Sequence, residues 1–123
     1  MRKPAYYSII QYMPDMSRLE VCNVGVIFYE NPRTCLITVT DDYTRVKRFF
    51  PLADIPFVKI AVGAVVCRIH GELPSWYGHG ALLRFSELLA NDIKITPPRP
   101  MTYSGTRDNE VQWLFTELVQ EDE

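Results

Sequence analysis

The sequence is short of the residues that metal and redox chemistry draw on. Its 123 residues include three cysteines and two histidines. Cys22, Cys35 and Cys67 lie far apart and form no C-x-x-C pair. Secreted domains of this size carry an even, dense cysteine framework, so the pattern points to a reducing, cytoplasmic setting. Long hydrophobic runs are missing too. The most apolar stretch, Ile55 to Ile69, contains Lys59 and falls short of the ~20 residues that cross a bilayer. The amino terminus, MRKPAYYSIIQY, has neither an apolar core nor a small-residue cleavage site, and does not read as a signal peptide. Charge is balanced, with thirteen basic against fifteen acidic residues, whereas a general nucleic-acid coat needs a basic surplus. Neither G-x-x-x-x-G-K-[ST] nor G-x-G-x-x-G occurs, so no phosphate-cradling glycine loop is encoded. Internal repeats are absent as well.

What remains is an ordinary globular composition, 47% hydrophobic and 23% charged, at a length that suits one domain spanning residues 1–123. Tyr6 to Tyr12 is aromatic and β-branched and reads as a strand. After the Pro14-Asp15 turn, a second strand is expected from about Leu19 to Tyr29. A turn at Glu30-Asn31-Pro32-Arg33 leads to a third, Thr34 to Thr40. Short connections make the three an antiparallel meander. Alternation puts Cys22, Val24, Val26 and Phe28 on one side of the second strand and Asn23, Gly25, Ile27 and Tyr29 on the other.

A short helix is predicted within Asp41 to Pro51, capped by Asp41, Asp42 or Thr44. A longer one should run from Asp54 to about His70, with Phe57, Ile60, Ala61, Ala64, Val65 and Ile69 as its apolar stripe. Leu73 to Gly80 reads as a loop, Leu82 to Leu89 as a short helix and Asp92 to Thr96 as a fourth strand. Residues 97–105, which hold three prolines, read as an extended connector. Asp108 to Gln120 is the clearest helix, with Val111, Leu114, Phe115, Leu118 and Val119 at helical spacing. The fold expected is α+β: an antiparallel sheet of about four strands with helices packed on one face.

Four groups of residues are candidate sites. Glu20, with Arg18 beside it, stands at the mouth of the first hairpin, where it either engages a partner or bonds the amides of the Pro14–Ser17 turn. Asn23 and Gly25 read as architecture: a bulge or a satisfied backbone group, and a close approach by another element. The loop SWYGHG, Ser75 to Gly80, offers Trp76 and Tyr77 as stacking surface and His79 between two glycines. A nucleophile–base pair there lacks both a G-x-S-x-G elbow and an orienting acid, so no catalytic residue is assigned. Cys67, His70 and His79 are the only soft-ligand set, one short of a closed zinc site, and neither metal nor cofactor is expected. Arg45, Lys47 and Arg48 beside Phe49 and Phe50 form a small basic–aromatic cluster, read as a solvated helix face.

YSIIQYMPD, RLEVCNVGVIFYE and the terminal DIKITPPRPM…DNEVQWLFTELV resemble a bacterial family known as domain of unknown function 3037. The resemblance rests on a strand ending in Y-x-P-D, an E-x-x-N-V-G-V strand and a terminal helix with L-F-x-x-L-V. It implies no activity. It implies context instead: genes of this kind sit beside those for HipA-like kinase domains and occur on mobile elements. The expectation is therefore a cytoplasmic, non-enzymatic module that binds a partner protein, such as a HipA-like kinase or a phage-defence component, in a regulatory or anti-defence role. The alternatives are a small enzyme around His79 and the first hairpin, and a nucleic-acid contact through Arg45, Lys47 and Arg48. No membrane association is expected.

Overall fold

The structure is a computed structural model and describes residues 2–14, 20–31, 34–72, 89–90 and 92–119. Three strands rich in aromatic and β-branched residues, β1 (Lys3–Tyr12), β2 (Cys22–Asn31) and β3 (Thr34–Val39), form the antiparallel meander. The other edge of β1 is shared by two strands. β5 (Ile93–Ile95) pairs with its end and β6 (Arg99–Tyr103) with its beginning, while β4 (Leu89–Ala90) pairs with β5.

Residues 97–105 are therefore less a connector than a strand with an interruption. Ile10 faces Ile95 but Tyr7 faces Arg99, so the returning chain carries one residue more than β1 over this stretch. Pro97 and Pro98 sit in that insertion, where their missing amide donors break no ladder bond. The amide of Thr96 donates to the carbonyl of Ile9 (3.0 Å), and the Thr96 hydroxyl accepts from the Ile9 amide (2.8 Å), which closes the gap. Among the described residues the sheet consequently has six strands rather than about four.

The α+β, antiparallel, single-domain architecture is as the sequence predicts, but the helices are not confined to one face. Ile27 and Phe28, neighbours on β2, point to opposite sides, and both are fully buried. Ile27 joins Val58, Ala61, Val62 and Ile69 of α2 (Ile55–Glu72) and Val46 of α1 (Thr44–Phe49). Phe28 joins Val111, Leu114 and Phe115 of α3 (Arg107–Leu118) on the other side. A strand that is apolar on both faces needs cover on both.

A β-bulge rearranges β2 at its start. Ile10 faces Gly25 while Gln11 faces Asn23, which leaves Val24 as the extra residue. Strict alternation fails there: Cys22 and Val24 lie with Ile27 and Tyr29 on the α2 side, not with Val26 and Phe28.

Helix α2 begins where expected, with Asp54 Oδ1 accepting from the amide of Phe57 (3.2 Å). Its buried residues are Val58, Ala61, Val62 and Ile69, whereas Phe57 (49%) and Ile60 (70%) of the predicted stripe are exposed. The helix is apolar almost all round, so periodicity could not choose the face. In α3, whose outer side is polar apart from the exposed Trp113 (56%), Val111, Leu114 and Phe115 are buried as predicted, and the Thr106 hydroxyl caps the first turn by accepting from Asn109 (3.2 Å). The predicted loop at 73–80 lies outside the described residues, as does the predicted helix at 82–89 up to Leu89, which falls in β4.

Candidate functional site

The β2 bulge is the junction on which three elements meet. It turns the Asn23 side chain towards α3, where its amide nitrogen donates to the carbonyl of Leu118 (2.9 Å) and its oxygen accepts from Gln11 (2.9 Å). From α1, Arg45 Nη1 donates to the next carbonyl, that of Val119 (2.6 Å). Helix C-termini leave their last carbonyls unpaired, and here an amide and a guanidinium from two other elements supply the donors. Gly25 comes just after the bulge, where a Cβ would run into Val39 and the Thr38 carbonyl of β3.

A cleft of about 510 Å³ opens beside this junction, walled by Asp41, Asp42, Thr44 and Arg48. Two of the charged groups that line it, Asp42 and Arg45, are bonded within the fold. Asp42 Oδ1 accepts from the hydroxyl (2.6 Å) and the amide (3.0 Å) of Thr44, and these two bonds hold its carboxyl below the usual carboxylate range. That stabilises the start of α1 and makes Asp42 a poor base. Lys47 Nζ donates to the carbonyl of Ala53 (3.1 Å). Two of the three cations in the predicted basic cluster thus bond backbone carbonyls.

The turn after α1 has the opposite character. The amide of Phe50 donates to Val46 (2.8 Å) and that of Ala53 to Phe50 (2.9 Å), which closes a tight reversal around Pro51-Leu52. The Phe50 ring packs edge-on against Tyr12, their centroids 5.3 Å apart. With Phe50 pinned inward, Phe49 points outward, its ring beneath the Arg45 guanidinium at 5.6 Å. Leu52 at the apex is 100% exposed and Phe49 50%. Together with Pro14, Pro51 and Glu20 they line a cleft of about 420 Å³. A hydrogen-bonded turn therefore presents a fully exposed leucine beside a half-exposed phenylalanine, an apolar patch rather than a lone side chain.

A third cluster joins β2 to α3. Glu30 accepts from the Tyr103 hydroxyl through one oxygen and from Arg107 Nε (2.9 Å) through the other. Nearby on β3, burial pushes the Cys35 thiol up to about 11, so it is neutral at physiological pH and a weak nucleophile.

Of the residues that the sequence singles out, Glu20 is exposed at the entrance to β2 and contributes to the apolar cleft, while Asn23 and Gly25 lie at the junction. Arg18, Trp76, Tyr77 and His79 lie outside the described residues. Cys67 and His70 are both exposed on α2, and the described residues contain no group of three or more side chains arranged to hold a metal. The exposed Phe49–Leu52 turn escapes a reading of the sequence that treats Pro51 only as a helix stop. Its signal is the pair Pro51-Leu52, a proline turn with a leucine where a polar residue is usual. No described helix is long and apolar enough to cross a membrane.

The sequence model of a family described as Protein of unknown function (DUF3037) matches residues 7–119. No curated protein and no solved structure matches.

Proposed function

Because the chain belongs to the family Protein of unknown function (DUF3037), whose description assigns no activity, we propose from its surface that it is a non-enzymatic module that binds a partner protein. The observation that carries this reading is the rigid turn that holds Leu52 fully exposed and Phe49 half exposed beside Glu20. Exposed apolar side chains rimmed by a charge and fixed by backbone hydrogen bonds cost little entropy to dock. A cleft of this size takes one or two apolar side chains of a partner segment. HipA-like kinase domains and phage-defence components are the partner classes to test first. An enzyme would need an uncommitted acid–base pair in a cleft, whereas Asp42 in the polar cleft is held by Thr44 and Cys35 is kept neutral. A nucleic-acid interface would need cations free to meet phosphates, whereas Arg45 and Lys47 are bonded to carbonyls.

The test is affinity capture from the native host with the wild-type chain and a Leu52→Asp/Phe49→Ser variant in parallel. Both positions are exposed enough for the variant to fold. A partner held by wild type should be lost or weakened more than about 10-fold in the variant, as for hot-spot residues. An identical set of proteins on both baits would remove the turn as the interface, and an empty wild-type bait would remove the reading.

A further inference from the structure

We draw no further inference here: the strongest candidate, the outer face of α2 with its exposed Phe57 and Ile60 beside Lys59, carries nothing, because nothing in the structure shows what covers it.

Discussion

At Gly25 a Cβ would lie 2.8 Å from Cγ1 of Val39 and 3.0 Å from the carbonyl oxygen of Thr38. The carbonyl is fixed in the β2–β3 ladder and cannot yield, so the pair of strands would have to separate. Gly25→Ala should cost about 1–3 kcal/mol, as over-packing does. Gly63 has nothing within 4 Å of the corresponding position and sits exposed in the middle of α2. Gly63→Ala should therefore stabilise by about 1 kcal/mol through helix propensity alone. Urea denaturation of the two variants should give shifts of opposite sign, and equal signs would contradict the close approach of β3. Asn23 and Gly25 were legible as architecture because asparagine and glycine inside a strand pattern signal a backbone problem. The identity of the problem was not legible. The carbonyl that Asn23 satisfies belongs to Leu118, far along the chain, and no local pattern encodes that meeting.

The end of helix α3 is held from outside, by Asn23 on β2 and Arg45 on α1. A cation at a helix C-terminus also meets the negative end of the helix dipole. Arg45 comes with a defect, because its Nε is buried with no hydrogen-bond partner among the described residues, and that offsets part of what the Nη1 bond contributes. Arg45→Met should cost about 1–2 kcal/mol and, by amide exchange, fray the last turn of α3 while leaving its first turn unchanged. A loss of protection spread evenly over the helix would show that Arg45 acts through the core instead. Helices α2 and α3 differ in how far the sequence exposes them. In α3, charged and amide residues mark the outer face apart from the exposed Trp113, and Val111, Leu114 and Phe115 are buried at the predicted spacing. In α2, apolar residues occupy nearly every position, so existence and ends were readable but the buried face was set by the sheet beneath. The strand at Arg99–Tyr103 was hidden by Pro100 and by Pro97 and Pro98 just before it, residues that usually argue against a strand. They are tolerated because the chain runs along an edge and slips by one residue just before it.

For the molecule as a whole, the sheet is the shared middle layer of two cores, and β2 contributes to both. Ile27 and Tyr29 serve the α2 side, while Val26 and Phe28 serve the α3 side. The second core is small, and α3 supplies most of its cover. Burial of Val111, Leu114 and Phe115 contributes about 1.5–3 kcal/mol each. Their sum is comparable to the whole stability of a domain of this length, about 5–15 kcal/mol. Removing α3 would also strip Val26, Phe28 and Tyr103, all fully buried, of their cover. It would leave Glu30 without Arg107 as well. The two layers should therefore unfold together rather than as separable units. Truncation after Tyr103 is expected to give a chain without cooperative unfolding that binds hydrophobic dye. The milder Phe115→Ala should cost about 3–4 kcal/mol and lower the denaturation midpoint without changing the slope. If the truncated chain instead kept a sharp transition, the α2 layer would be a domain in its own right and the dependence of β2 on both faces would be wrong.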